Sequence, residues 1–251
     1  MELNEIKPAG NTIDRGISFV IYANPGVGKT TMATTLPPDE TLIINAEAGI
    51  GPLLGKGHSV FNVLQIVDDS NSEKTFEKVM SNIYKQLRTT DHPFKYVVLD
   101  NLSEIENQLL LSYVARHGRE SPSRQEYGDA AYKMREWIHL WRDLVFQGIT
   151  VIFNCWETPM ELKSVEGNIV TLIVPKISKS NVPTLTGCVD VVGHIEVHEK
   201  TGKRWLRLTP NEDCLCKTQF QGIGEDGKPG ELADFEIIIG KIMNHNYKET
   251  V

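Results

Sequence analysis

This sequence of 251 residues has no long apolar run, no excess of basic residues and few cysteines. No uninterrupted apolar run approaches the roughly 20 residues that a membrane-spanning helix needs. Hydrophobic residues make up 40% and charged residues 24% of the chain, which excludes a wholly disordered protein. Residues 1–10 include Glu2 and Glu5 and have no apolar stretch of signal-peptide length. We therefore expect a cytoplasmic protein with no membrane partner.

The chain has four cysteines, and their spacing is irregular: Cys155, Cys188, Cys214 and Cys216. A cytoplasmic chain of this length buries enough apolar surface to fold without disulfides, so we expect free thiols. The segment Cys214-Leu215-Cys216 lacks the two-residue gap of a zinc knuckle and has no matching pair elsewhere. The cysteine spacing therefore argues against a zinc site.

Basic residues are outnumbered, with 26 lysines and arginines against 33 aspartates and glutamates and a net charge of -7. Any contact with nucleic acid would then depend on a local basic patch, because the field of the whole protein repels phosphate.

Short apolar runs alternate with segments of helical period, which predicts an α/β fold with a mainly parallel central sheet flanked by helices. Strands are predicted at 17–23, 41–45, 60–66, 96–100 and 150–155, and helices at 101–116 and 129–147. Two antiparallel hairpins, at 161–174 and 189–209, are predicted to continue the sheet, followed by a glycine-rich loop at 222–230 and a short closing helix. We expect a single domain over 1–251, with a core at about 15–218 and a C-terminal loop and helix at 219–251.

A glycine-rich segment, Ala23-Asn24-Pro25-Gly26-Val27-Gly28-Lys29-Thr30, follows the first predicted strand and precedes a helix. Its glycines allow backbone N–H groups to turn toward phosphate oxygens, and the helix start adds partial positive charge. In this interpretation Lys29 binds the β- and γ-phosphates of ATP, and the Thr30 hydroxyl binds Mg²⁺. Ala23 stands where such loops have their first glycine. The predicted nucleotide-binding residues are Asn24, Pro25, Gly26, Val27, Gly28, Lys29, Thr30 and Thr31.

Asp100 ends the apolar strand at 96–100 and is the predicted second Mg²⁺ ligand, because the metal needs a carboxylate from a neighbouring strand. The alternative is that Asp100 or Asn101 caps the next helix, with Asn101 and Glu104 at capping-box spacing. Capping by Asn101 leaves Asp100 available, which favours the metal role.

Hydrolysis needs a group that orients or deprotonates water, and the candidates are Glu47 and Glu104. Glu47 follows the second strand at the edge where ligands bind in open α/β sheets, so we favour it as the catalytic residue. Asn154 ends another strand, where its amide either senses the γ-phosphate or bonds a loop backbone.

In their order along the chain, these segments resemble the RecA-like ATPases, most closely phage-type AAA-family proteins related to phage RecA-like single-strand annealing proteins. The resemblance covers about residues 15–218. It includes Asn45-Ala46-Glu47, where RecA-like proteins place a catalytic glutamate, and Gln125-Glu126-Tyr127-Gly128, which is similar to the phage group.

The resemblance implies a phage-encoded, Mg²⁺-dependent ATPase that acts in a bacterial cell and assembles into a ring or filament. It further implies ATP bound between neighbouring subunits, single-stranded DNA held by loops, and a phage single-strand-binding protein as a further partner. Lys217 resembles the basic catalytic residue that approaches a neighbour's γ-phosphate, with a solvated lysine as the alternative. Arg204 and Arg207 are weaker candidates for the same role.

The DNA-binding loops would lie at 116–124 and 159–179, with contacts from Lys163, Lys176 and Lys179 and with Trp156 and Phe220 stacking on bases. Acidic neighbours reduce the positive charge of both loops. Aromatic residues beside strands are commonly core residues. Two other functions stay open: a nucleotide-switched partner-binding protein such as a helicase loader, which the acidic charge favours, and a small-molecule kinase with 116–135 as its lid.

Overall fold

The computed structural model describes residues 13–47, 49–63, 75–163, 167, 169–224 and 230–245. Its strands are β1 (Ser18–Tyr22), β2 (Thr41–Asn45), β3 (Ser59–Asn62), β4 (Tyr96–Asp100), β5 (Thr150–Cys155), β6 (Glu157–Lys163), β7 (Ile169–Pro175), β8 (Val191–Val197), β9 (Arg204–Arg207), β10 (Lys217–Thr218) and β11 (Gly230–Leu232). Its helices are α1 (Lys29–Ala33), α2 (Phe76–Thr89), α3 (Leu102–Arg116), α4 (Arg124–Arg142), α5 (Val182–Cys188) and α6 (Phe235–Asn244). Among these described helices, none combines the length and the apolar character that spanning a bilayer requires.

The described residues form a central sheet of nine strands, in the order β11-β9-β8-β1-β5-β4-β2-β3, with β10 paired to β8. The adjacent strands from β8 to β3 are all parallel. β9 and β10 run antiparallel to β8, and β11 runs antiparallel to β9. The predicted α/β class, with a mainly parallel sheet and antiparallel hairpins toward the C-terminus, is confirmed.

Helices cover both faces of this sheet, and β1 and β5 are therefore buried along their whole length. One face packs against α2, α3 and α4, which contribute Leu109 and Trp141 to the first core. The other face packs against α1 and α6, which contribute Phe235 to a second core. Because neighbouring side chains of a strand point to opposite faces, Val20 lies in the first core and Phe19 in the second.

The helices differ from the prediction in two places. The predicted helix at 129–147 begins at Arg124, because Ser123 and Glu126 form a reciprocal capping box there, and its last turn, 143–147, is a 3-10 helix. No helix is predicted from the sequence at α2, although the structure has one between β3 and β4.

The hairpin predicted at 161–174 is present as β6 and β7, but it forms a separate two-stranded sheet and does not continue the central one. The prediction was wrong on this point because β8 pairs in parallel with β1 and occupies the edge that the hairpin would need. The hairpin predicted at 189–209 is β8 and β9. Residues 64–66 of the third predicted strand, 164–166 and 168 of the hairpin turn, and 225–229 of the predicted glycine-rich loop lie outside the described residues.

An ion pair joins the beginnings of β1 and β8 at the edge of the sheet opposite the glycine-rich segment. The guanidinium of Arg15 donates to both carboxylate oxygens of Asp190, at 3.0 and 2.7 Å, and the backbone and hydroxyl of Ser18 donate to the same carboxylate. Burial alone would raise the pKa of Asp190, but the hydrogen bonds from Arg15 and Ser18 outweigh it and lower the pKa.

We predict that Asp190→Asn lowers the free energy of unfolding by about 1–3 kcal/mol at neutral pH, because it leaves buried donors poorly satisfied. The folded-state pKa of Asp190 is lowered, so its contribution is present above the unfolded-state pKa of about 3.9 and is lost as pH falls through the folded-state value. Urea unfolding at several pH values measures both effects. Asp91→Asn, at an exposed loop position, is the control, and equal stability of the two variants would contradict the assignment.

Candidate nucleotide-binding site

Polar residues lie at the end, or one residue before the end, of three adjacent parallel strands at the same edge of the sheet. The register pairs Asn45 of β2 with Asp100 of β4, and Asp100 with Asn154 of β5. Because parallel strands present their carboxyl ends at one edge, these side chains form a row. The glycine-rich segment follows β1, which pairs with β5 on its other side, so it lies at this same edge.

The backbone of the glycine-rich segment depends on two glycines. Gly26 has φ of 79° and Gly28 has φ of 119°, both in the left-handed region that favours glycine. A Cβ on Gly28 would also lie 2.4 Å from the side chain of Arg204. The N–H of Met32 donates to the carbonyl of Gly28 at 2.8 Å, so α1 begins directly after the loop, as predicted.

Lys29 is buried, and its ammonium lies across the loop. It donates to the carbonyl of Ala23 at 3.0 Å and to that of Asn24 at 3.1 Å, which leaves a third donor for an anion. Burial lowers the pKa of Lys29, while the charges of Glu47 and Asp100 oppose that shift. Pro25 is exposed, Val27 is half-buried, and Thr31 follows within α1.

Asp100 joins the loop to the neighbouring strands. The hydroxyl of Thr30 donates to its Oδ2 at 2.7 Å, and the amide of Asn154 donates to its Oδ1 at 2.9 Å. The Oδ1 of Asn154 is buried and has no hydrogen-bond partner among the described residues. Oxygen ligands of this kind are those that Mg²⁺ prefers, so the donor set of Thr30 and Asp100 fits the ion.

Glu47 lies beside this row and is held by Asn101. The amide of Asn101 donates to Glu47 Oε1, while the Asn101 Oδ1 accepts from the backbone N–H groups of Ser103 and Glu104. Asn101 therefore caps α3 and orients Glu47 at the same time. Burial raises the pKa of Glu47, the charge of Asp100 raises it further, and Lys29 opposes both.

The other candidate base, Glu104, accepts hydrogen bonds from Asn107 and Gln108 of its own helix. Its side chain does not return to the backbone of Asn101, so the second half of the predicted capping box is missing. This geometry favours Glu47 over Glu104 as the residue that could position water.

The basic residues suggested for a neighbour's phosphate are dispersed. Arg204 donates to the carbonyl of Val27 in the loop of its own chain, at 2.6 Å. Arg207 pairs with Glu196, and Lys217 donates to the carbonyl of Gly187 at 3.0 Å. Lys217 thus lies near the start of β8, away from its own phosphate loop, and its action on another subunit stays a prediction.

Three contacts at the site are not predicted from the sequence. The sequence predicts Asn101 only as a helix cap, although its position next to Asp100 indicates a place at the site. Arg204 reaches the loop from a distant strand, and Glu157 accepts a hydrogen bond from Asn24. No local sequence pattern predicts the last two contacts, because each joins segments far apart in the chain.

The fold and this geometry define the class of protein. A glycine-rich loop after a buried strand, with a lysine and a hydroxyl in the loop and a carboxylate on a nearby strand, is the site of phosphate-binding-loop NTPases. A family model described as an AAA domain matches residues 15–220. The chain therefore belongs to the AAA domain family, and this membership supports nucleotide binding and hydrolysis.

Among solved structures, the chain is similar to a KaiC-like protein from the hyperthermophilic archaeon Pyrococcus horikoshii OT3. The two share 15% sequence identity, the match covers 77% of this chain and 78% of that chain, and the TM-score is 0.39. Among curated proteins there is no match. The assignment therefore rests on the family match and on the geometry of the site.

We predict that Lys29→Ala weakens ATP binding by about 10- to 100-fold, because a hydrogen bond to a charged group contributes about 1.5–3 kcal/mol. Calorimetric titration measures the affinity, and Lys56→Ala, which removes an exposed lysine, is the matched control. Unchanged affinity in Lys29→Ala would show that the phosphates bind elsewhere.

We predict that Glu47→Gln retains ATP binding and slows turnover by about 10²-fold or more, the contribution of a positioned acid–base group. Steady-state phosphate release measures turnover, and Glu104→Gln is the matched control. Near-normal turnover in Glu47→Gln together with a slow Glu104→Gln would transfer the role to Glu104.

The pH dependence provides a second readout of the same prediction. Glu47 acts as a base only when it is ionised, and its pKa is raised. The kcat/KM of the wild type should therefore increase as the pH rises through that raised pKa. The same increase should be absent in Glu47→Gln.

Proposed function

We propose that this protein is a Mg²⁺-dependent ATPase that binds single-stranded DNA and promotes annealing or strand exchange in phage-type recombination or replication. The observation that carries the ATPase part is the direct bonding of Thr30, Asp100 and Asn154 at the carboxyl edge of the sheet. In this proposal Thr30 and Asp100 hold Mg²⁺, which neutralises charge on the phosphates when bound, and Lys29 binds the phosphate oxygens.

The chemistry assigned to the protein side chains is simple. Glu47, oriented by Asn101, accepts a proton from the attacking water or orients that water. Asn154 bonds the metal-binding carboxylate and stands one residue before Cys155, the last residue of β5. The segment that follows β5 is thereby linked to the phosphate end of the site.

That following segment supports the DNA part of the proposal. The ammonium of Lys176 lies 5.0 Å from the centre of the Trp156 ring, and the backbone N–H of Trp156 donates to the hydroxyl of Ser103 at the start of α3. A cavity of about 370 Å³ is lined by residues that include Trp156, Lys176 and Tyr127. An aromatic ring beside a cation suits a base and its phosphate.

The cavity also includes residues of one of the two loops predicted to bind DNA. Its lining includes Ile177 and Ser178, from the 159–179 segment, and Tyr127, which follows the 116–124 segment. Lys179 and Arg124 are exposed nearby in the chain. We therefore propose this surface as the DNA contact.

Other predicted contacts receive less support. Arg116 pairs with Glu77 at 3.1 Å and Arg119 pairs with Glu126 at 3.2 Å, so neither cation is available without breaking an ion pair. Phe220 packs against the second core. Lys163 ends β6 and is not needed for the proposed contact.

A nucleotide-switched partner-binding protein, such as a helicase loader, is the second candidate. The β6–β7 hairpin exposes apolar side chains, with Leu162 at 41% and Ile169 at 67% exposure, which suit a protein surface better than a phosphate backbone. Self-association into a ring or filament, and binding to a phage single-strand-binding protein, are proposals that would use the same kind of surface.

The small-molecule kinase function is disfavoured, because three of the four arginines of 116–135 are bound to other residues of the protein. Arg116 and Arg119 form the ion pairs described above, and Arg135 donates to the amide oxygen of Asn181 at 3.2 Å. A lid over a phosphoryl acceptor would need these guanidinium groups free.

We predict that single-stranded DNA binds more tightly when ATP is present and that Trp156→Ala weakens this binding by about 1–3 kcal/mol, the contribution of one stacked base. Lys176→Ala should lower the salt slope of binding by about one unit. Fluorescence anisotropy of labelled DNA over a salt series measures both, with Lys85→Ala, at an exposed lysine of α2, as control.

The absence of nucleotide-dependent DNA affinity would contradict the proposed function. Retention of a partner protein by the ATP-bound form, without affinity for naked DNA, would select the partner-binding switch instead.

A further inference from the structure

A cluster of sulfur, nitrogen and oxygen donors lies outside the row of Thr30, Asp100 and Asn154. His194 and Glu196 are two residues apart in β8, so their side chains lie on the same face of the strand. Cys214 and Cys216 come from the segment just before β10, which pairs with β8. The sheet thus brings a Cys-x-Cys segment beside a His-x-Glu segment.

Three residues of this cluster are close enough to hold one metal ion. A ring nitrogen of His194, Cys214 Sγ and a carboxylate oxygen of Glu196 all lie within 4.8 Å of one another. The two sulfurs of Cys214 and Cys216 are 3.7 Å apart. Two thiolates on a tetrahedral zinc ion, each about 2.3 Å from the metal, are separated by about 3.8 Å.

The sulfur donors are buried, and the imidazole is oriented. Cys214 is 3% and Cys216 is 5% exposed. His194 Nε2 bonds a carboxylate oxygen of Glu157 at 2.7 Å, while the buried Nδ1 has no hydrogen-bond partner among the described residues. A carboxylate on one imidazole nitrogen fixes the tautomer and leaves the lone pair of the other nitrogen for a metal.

Glu196 is oriented by a neighbouring cation. Arg207 donates to both of its carboxylate oxygens, and each oxygen has a second lone pair for a metal. The Arg207 charge also offsets that of thiolates in the cluster.

We propose that His194, Glu196 and Cys214 form a binding site for a zinc-class divalent transition metal. Thiolate and imidazole ligands select such a metal over Mg²⁺ or Ca²⁺. Three protein ligands leave a fourth position on a tetrahedral ion, and the Cys216 sulfur lies next to Cys214 on this side of the site. The spacing of the cysteines does not reveal this site, because the other ligands come from β8, about twenty residues earlier in the chain. The site does not depend on the proposed function.

The carboxylate of Glu157 links this site to the phosphate loop. It bonds His194 through one oxygen and accepts from the amide of Asn24 through the other. The metal site therefore adjoins the nucleotide site without sharing a ligand with it.

Titration of the reduced, metal-stripped protein with Co²⁺ tests the proposal, because thiolate ligands give a charge-transfer band in the near ultraviolet. We expect one equivalent of Co²⁺ to develop this band, Zn²⁺ to displace it, and Cys214→Ser to lose it. Cys188→Ser, which removes a thiol outside the cluster, should retain the band.

A variant that keeps all the proposed ligands guards against loss of folding. Glu157→Gln should weaken Zn²⁺ affinity by about 10- to 100-fold, measured by competition with a chromogenic chelator. A wild type without the band, a band that survives in folded Cys214→Ser, or unchanged affinity in Glu157→Gln would each overturn the proposal.

Discussion

The hydrogen bonds of the Asp100 carboxylate are the constraint on which the rest of the site depends. A carboxylate that is only 3% exposed needs donors on both oxygens, because burial without partners would cost several kcal/mol. Thr30 supplies one donor from the phosphate loop and Asn154 supplies the other from the adjacent strand. One buried side chain therefore fixes the position of α1 against the carboxyl ends of β4 and β5.

The electrostatics of the site follow from that arrangement. Burial lowers the pKa of Lys29 and raises that of Glu47, and the two groups oppose each other's shift. The Asp100 charge acts on both, in favour of a charged lysine and against a charged glutamate. The lysine predicted to bind phosphate and the glutamate predicted to act as the base thus both lie within the influence of one buried carboxylate, Asp100.

Much of this site could be predicted from the sequence because its signals are local. The loop from Asn24 to Thr30 carries its glycines and its lysine in one segment, and Asp100 and Asn154 each end an apolar run. A strand that ends on a polar residue identifies the ligand edge of a parallel sheet without any knowledge of strand order.

The remaining features depend on which strands become neighbours, which periodicity does not specify. The pairing of β8 with β1 excludes the β6–β7 hairpin from the central sheet. The pairing of β10 with β8 brings Cys214 beside His194. The contact of Arg204 with the loop likewise depends on the β8–β9 pairing. These residues are far apart in the chain and come into contact only because the strands adopt this order in the sheet.

The most direct test of the central role of Asp100 is a calorimetric titration of ADP into wild type and Asp100→Asn, each with Mg²⁺ and with EDTA. We expect Mg²⁺ to tighten binding to the wild type and to have little effect on the variant, while the metal-free affinities stay similar. An equal gain from Mg²⁺ in both proteins would contradict this account of the site.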